Sequence, residues 1–374
     1  MRLITSGESH GCGLTCILEG LPSGFKPDLT KVDSLLAIRQ KTYGRGERMK
    51  IESDCVKVTG GLIEGVTYGA PLSLFIANRD DRSNLQRVKM TVPRPGHCDL
   101  SASMKYDLSD LSIPGEYCGG RITAIYTAVG EILRQFLNMF GIKILGFTLG
   151  IGRLRTKINF DDFYIDEKSE IVEKSLLRLC DTTSEDEIKI IIDSVASEGD
   201  TLGGLISVVM EGIPVGLGSF SPFYKRLDSL LSSHIMAVPG IKGVEIGLGF
   251  DSCNYKGSEL QDAIYKDETI RRKTNNAGGI EAGFSNGESI VLKAVMKPLP
   301  SIKKGISSFD IESGLNCNTV YVRSDICAVP SCAVAVQSMV AIAIADAFFD
   351  KFYSDTLEEM LLDYCNYMER VKNA

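Results

Sequence analysis

Three features of the sequence predict one large α+β domain. Strand-like and helical patterns alternate in blocks rather than one by one, which does not favour a doubly wound nucleotide fold. No G-x-G-x-x-G follows a strand and opens a helix, and no Walker loop occurs. The length, 374 residues, suits a single large domain as well as two or three average ones. About three-quarters of the unfolded surface can be buried at this size, without disulfide or metal staples. Segments 157–175 and 303–316 are polar and irregular, but neither is long or biased enough to be a linker. Residues 1–374 are therefore read as one domain.

Strand patterns fall at 13–18, 55–59, 72–77, 143–150, 204–211, 242–248 and 289–296. Asp28 can cap a helix over 29–41 whose apolar face holds Val32, Leu35, Leu36 and Ile38. Ile125, Ala128, Val129, Ile132, Leu133 and Phe136 recur at helical spacing within 121–140. Further helices are predicted over 168–180, 185–197, 225–236, 331–350 and 355–371. The most apolar stretch, Ile326 to Ala345, contains Pro330, Ser331, Gln337 and Ser338, and reads as a buried core helix rather than a membrane span. One internal echo links Leu14–Gly24 to Ile206–Gly216, each a strand running into E-G-x-P-x-G. Duplication and shared turn chemistry both remain open.

Hydrophobic residues make up 44% and charged residues 24% of the chain, an ordinary soluble balance. The net charge of −7 argues against a nucleic-acid binder, which needs a basic surface, but not against a small anionic ligand. Eleven scattered cysteines form no C-x-x-C pair and read as reduced thiols, mostly small buried hydrophobes. The first residues lack the basic and apolar regions of a signal peptide. A reducing cytoplasm is the expected compartment.

Three histidines are present, and two lie in glycine-flanked loops: His10 in Gly7-Glu8-Ser9-His10-Gly11 and His97 in Arg94-Pro95-Gly96-His97-Cys98-Asp99. A lone loop histidine is usually structural, but two such settings point to proton transfer near neutral pH. His234 reads as a helix residue. Residues 39–50, R-Q-K-T-Y-G-R-G-E-R-M-K, carry a local charge of +4 within an acidic protein. A solvated basic loop is one reading; a shaped anion clamp of guanidinium forks is the other. The glycine-rich run 275–287 and the following Lys297-Pro298-Leu299-Pro300-Ser301 suggest backbone laid against a phosphate or flat ring. A metal site is not expected.

Eight ordered blocks resemble the chorismate synthase family along nearly the whole chain. They are G-E-S-H-G-C-G-L-T-C-I-L-E-G-L-P-S-G (7–24), R-Q-K-T-Y-G-R-G-E-R-M-K-I-E-S-D (39–54), R-P-G-H-C-D (94–99) and G-D-T-L-G-G (199–204). K-G-V-E-I-G (242–247), N-N-A-G-G-I-E-A-G-F-S-N-G (275–287), K-P-L-P-S-I (297–302) and R-S-D-I-C-A-V-P (323–330) complete them. The resemblance implies a β-α-β sandwich of antiparallel sheets enclosing helices, assembled as a homotetramer. It implies conversion of 5-enolpyruvylshikimate 3-phosphate to chorismate by 1,4-anti elimination of phosphate, with reduced FMN and no net oxidation.

By that resemblance Arg39, Arg45, Arg48, Arg94 and Arg121 form the substrate clamp. His10 protonates the departing phosphate, with Ser9 assisting. His97 protonates the reduced flavin, and Asp325 relays the proton taken from the substrate. Cofactor contacts are implied for Cys118, Gly119, Gly120, Pro239, Gly240, Ala282, Lys297, Pro298, Leu299, Pro300, Ser301 and Arg323. NADPH is a possible reductant; no membrane or nucleic-acid partner is expected. The chain departs from the family where Tyr117-Cys118-Gly119-Gly120-Arg121 stands for R-S-S-A-R, and where Gln337 replaces a glutamate. R-H-D-P-C becomes Arg323-Ser324-Asp325-Ile326-Cys327. A non-catalytic anion-binding relative and a histidine-based phosphoryl-transfer enzyme are the competing readings.

Overall fold

The computed structural model describes residues 1–86, 88–267 and 269–373, with the side chain of Lys50 outside that set. Two antiparallel sheets face each other with helices between them. The first holds β1 (Arg2–Gly7), β2 (Gly13–Glu19), β3 (Lys57–Gly60) and β4 (Leu72–Ala77), in the spatial order β1-β2-β4-β3. The second holds β5 (Lys143–Ile151), β6 (Gly204–Glu211), β7 (Ile241–Ile246) and β8 (Ile290–Met296), in the order β5-β6-β8-β7, with a short Leu154–Arg155 edge beyond β5. The two sheets share one topology, and the echoed segments occupy equivalent strands, β2 and β6. Each then turns at a glycine with positive φ, 102° at Gly20 and 74° at Gly212, a conformation that favours glycine.

The helices repeat the pattern. α1 (Leu29–Lys41) follows β2, and its N-terminus is capped by Asp28, whose Oδ1 accepts from Thr30 N at 3.0 Å. α2 (Asp99–Tyr106) and α3 (Thr123–Asn138) follow β4. After β5 come α4 (Ile165–Lys174) and α5 (Glu185–Ser197), and α6 (Leu227–Met236) lies between β6 and β7 as α1 lies between β2 and β3. α7 (Val329–Lys351) and α8 (Leu357–Lys372) close the chain. α7 is long and apolar enough to cross a membrane, yet 94% of its most apolar window is buried within the fold. It crosses α3 so closely that a Cβ on Gly130 would lie 2.4 Å from Ser338 Cβ.

Some expectations change. The helix predicted over 168–180 ends at Lys174, because Ser175 Oγ accepts from Leu177 N and Leu179 N, both at 3.2 Å. Arg178 then turns through φ 54°. Part of the irregular 303–316 pairs as a hairpin, Ser307–Phe309 with Asn316–Asn318. Strand β1 was not legible, since its residues are alternately exposed and half-buried. The thiols are not all free: Cys98 and Cys118 form a disulfide. Scattered spacing gave no sign of it, because the fold brings together residues separated by 20 positions.

Candidate active site

The N-terminal ends of α3 and α7 converge with loops from along the whole chain on a cavity of about 660 Å³. Among the described residues, nine lysines and arginines line it, against two carboxylates, Glu116 and Asp325. Helix N-termini add positive potential. The −7 of the whole chain is thus reversed locally, and the cavity is built for an anion.

The structure brings His10 and His97 into this cavity, each held by a carboxylate. Glu116 Oε2 accepts from His10 backbone N at 2.8 Å, and Oε1 lies 3.1 Å from Nδ1. Nε2 of His10 is left 3.5 Å from Arg48 Nη1 and 3.9 Å from Asp80 Oδ2. Ser9, adjacent and buried, receives Arg48 Nη2 at its carbonyl. His97 Nδ1 is hydrogen-bonded to Asp99 Oδ1, and Arg94 forks onto the same carboxylate at 2.8 and 2.9 Å. Burial alone would raise the Asp99 carboxyl, but the bonds from His97 and Arg94 hold it well below the usual range. His234 stays outside, its Nδ1 2.9 Å from Leu230 O.

The five arginines all reach the cavity wall, though much of their bonding capacity turns inward. Arg121 Nη1 donates to both Asp54 oxygens at 2.6 and 2.8 Å, and its Nε to Asn78 Oδ1 at 2.7 Å. Asn78 in turn donates to the carbonyls of Glu8 and Gly11, so Arg121 braces the His10 loop. Arg39 donates to Thr123 Oγ1 and Gly120 O, and burial pulls its guanidinium down to about 9. Arg48 is tied to Glu52 at 3.1 Å. Arg45 Nη1 lies 3.2 Å from Asp325 Oδ2, while Gly46 N donates to Asp325 Oδ1 at 2.6 Å. Among the described residues, two buried donors, Arg39 Nη1 and Arg45 Nε, have no hydrogen-bond partner, though Arg39 Nη1 lies 3.7 Å from Asp54 Oδ2 in an ion pair. Such orphaned groups are costly unless a ligand satisfies them.

A family model described as chorismate synthase matches residues 1–349. The chain belongs to the chorismate synthase family. It is 41% identical to the chorismate synthase of Geobacter metallireducens, with all of both chains covered. The Brevibacillus brevis enzyme is 40% identical over 96% of each chain. A crystal structure of chorismate synthase superimposes with a TM-score of 0.83 at 33% identity, covering 100% of this chain and 98% of that one. The β-α-β sandwich is therefore the fold of this family.

Most cofactor positions inferred from the family resemblance meet at this cavity. Cys118, Gly119, Gly120, Pro239, Gly240, Lys297, Leu299, Pro300, Ser301 and Arg323 line it. Pro298 and Ala282 do not. Ala282 sits in the tight turn between Ile280–Glu281 and Phe284–Ser285. The glycine run around it packs closely against other backbone: a Cβ on Gly278 would lie 2.3 Å from Gly247 N. Glycine looks the same in sequence whether a ligand or another strand approaches it. Cys118 is engaged by Cys98, and a Cβ on Gly119 would lie 3.1 Å from Gly115 O.

Sequence reasoning missed the acids that organise the site. Glu116 and Asp80 were given no role, nor were Glu52, Asp54 and Asp99. Burial would raise Asp80, yet bonds from Arg82 and Arg323 bring it down to about 2. Asp99, two residues after His97, was the one readable signal. Glu116 lies 106 positions from His10.

Proposed function

We propose that this chain converts 5-enolpyruvylshikimate 3-phosphate to chorismate and phosphate by 1,4-anti elimination, with reduced FMN bound. On this reading it catalyses the last step of the shikimate pathway. The observation that carries the proposal is the cationic cavity holding two carboxylate-anchored histidines and two arginine donors without a hydrogen-bond partner among the described residues. A substrate with one phosphate and two carboxylates would satisfy such a wall.

Glu116 fixes the His10 ring by Nδ1, which leaves Nε2 to carry a proton to the departing phosphate beside Arg48. Arg48, Arg45 through its unbonded Nε, and Arg39, whose Nη1 is held only by the longer ion pair to Asp54, hold the anion as charge develops on it. Asp325, fixed by Arg45 and Gly46, is the carboxylate that receives the substrate proton. His97, anchored through Asp99, holds a proton on the opposite loop.

The lining suits FMN: a Cβ on Gly120 would meet nothing within 4 Å, so its backbone is open to a ligand. Pro239, Leu299 and Pro300 offer an apolar surface, and Lys297, Ser301 and Arg323 offer polar contacts. When bound, reduced FMN supplies electron density transiently and recovers it, so no net oxidant is consumed. NADPH as reductant, a homotetrameric assembly and a cytoplasmic location belong to the same proposal. Anaerobic phosphate release, measured with and without reduced FMN, tests it. Flavin-dependent release supports the lyase; no release fits an anion-binding relative, and flavin-independent release fits phosphoryl transfer.

A further inference from the structure

Cys98 and Cys118 differ from the other nine cysteines, which are free thiols. Cys16, Cys180, Cys327 and Cys332 are buried, and burial pushes their thiols up to about 11 or 12, leaving them inert. Cys98 and Cys118 are only half-buried, both line the cavity, and their sulfurs are bonded to each other. Each belongs to a segment that carries a candidate acid. Cys98 follows His97 directly, while Cys118 ends the Gly115–Cys118 turn from which Glu116 holds His10. The two walls already touch, since a Cβ on Gly115 would lie 3.6 Å from His97 Cε1 and 3.5 Å from Arg94 Nη2.

We propose that Cys98 and Cys118 form a thiol–disulfide modification site in the cavity wall, oxidised by a low-molecular-weight disulfide and reduced by a dithiol. Closing the bridge fixes the His97 loop against the His10–Glu116 turn; opening it lets the walls part to exchange a flavin-sized ligand. Arg94 Nη2 lies 3.1 Å from His97 Nδ1, and Cys98 Sγ lies 3.5 Å from that nitrogen. The first cysteine thiolate attacks the small disulfide, forming a mixed disulfide and expelling one small thiolate. The second attacks the cysteine sulfur of that mixed disulfide, closing the Cys98–Cys118 bond and expelling the other. The two cysteine protons end on the two departing thiolates, and the two electrons lost by the cysteines reduce the oxidant's S–S bond.

The same residues with His97 place three donor atoms within 4.8 Å of one another. A metal ion is disfavoured there while the two sulfurs are bonded to each other and the Arg94 cation stands beside the imidazole. The bridge itself does not depend on the lyase reading; only its effect on turnover does.

The test uses the full-length protein, equilibrated in glutathione disulfide or in dithiothreitol. Cysteines are alkylated and mapped by peptide mass spectrometry, and oxidised FMN is the kinetic probe. In glutathione disulfide, both Cys98 and Cys118 should lose alkylation and their peptides should be joined. FMN association and dissociation should both slow several-fold, turnover should fall with them, and dithiothreitol should restore all three. Cys98→Ser, whatever its own rate, should behave alike in both buffers. Continued alkylation of both cysteines in glutathione disulfide would overturn the proposal. So would an equal response from Cys98→Ser, or a closed bridge with unchanged FMN kinetics. A bridge that forms and slows FMN exchange, with no turnover in either buffer, upholds this site and removes the lyase reading instead.

Discussion

The substitution Gln337→Glu should stabilise the protein at neutral pH, because a buried cation lies against the amide. Arg178 is 1% exposed. Its Nη2 donates to Gly146 O at 2.7 Å and to Gln337 Oε1 at 3.2 Å, while Nη1 has no hydrogen-bond partner among the described residues. Burial pulls the guanidinium from 12.5 down to about 10. At 1.36 kcal/mol per tenfold change, that burial costs about 3 kcal/mol. The introduced carboxylate would keep the bond from Gly146 N, now 2.8 Å long, and face Arg178 with a full charge. A charge-assisted bond contributes about 1.5–3 kcal/mol against about 1 for a neutral one. Desolvating the new carboxylate takes back part of that gain. The difference, about 0.5–2 kcal/mol before that cost, leaves a net increase of up to about 1 kcal/mol, or roughly 1–2 °C in Tm for a chain of this size. Thermal and urea unfolding at pH 7 would measure it. A carboxyl paired this way has its pKa depressed by folding, so the gain is full above the ordinary glutamate range and disappears as pH falls through the folded value. A lower Tm at pH 7 that recovers at acid pH would refute the reasoning, since the new side chain would then enter the core only when protonated.

Four other outcomes are expected. His10→Ala and His97→Ala should each lower turnover about a hundredfold or more with unchanged circular dichroism; wild-type-like turnover would remove that histidine from the mechanism. Arg48→Lys should weaken substrate binding and spare FMN, because an ammonium cannot hold Glu52, Ser9 O and an anion in one fork; equal loss of both affinities would make Arg48 structural. Asp80 and Asp99 are both held below their ordinary 3.8. Their stabilisation should be full above about pH 4 and lost as pH falls toward 2 and below, so Asp80→Asn with Asp99→Asn should flatten the stability–pH curve there; an unchanged slope would contradict it. Gly119→Ser should weaken FMN binding, since the added atoms meet Gly115 O at 3.1 Å and Ser9 Oγ at 3.5 Å; tighter binding in an FMN titration would show that a hydroxyl is accommodated.

Helix α1 was legible because Asp28 caps a run of helical spacing, α3 because its apolar residues recur at that spacing, and α7 because its apolar run is too long for a strand. The overshoot at 168–180 came from periodicity that continues through Ser175, a residue whose side chain bonds the backbone and ends the helix. The cations of the cavity were readable as a local excess of charge. What they do was not, because their partners are distant in sequence: Asp54 lies 67 positions from Arg121. The cysteine bridge and the Glu116 anchor were hidden for the same reason. The echo at Leu14–Gly24 and Ile206–Gly216 proved to mark equivalent strands of two sheets with one topology, a regularity that only pairing order reveals.

The central claim is tested most directly by one sealed anaerobic reaction of the full-length protein with 5-enolpyruvylshikimate 3-phosphate and reduced FMN. Chorismate and phosphate are quantified together while the flavin spectrum is followed. The account predicts equal amounts of both products, with the flavin still reduced at the end and no reaction when it is omitted. Phosphate without chorismate, or the same rate without flavin, would contradict it.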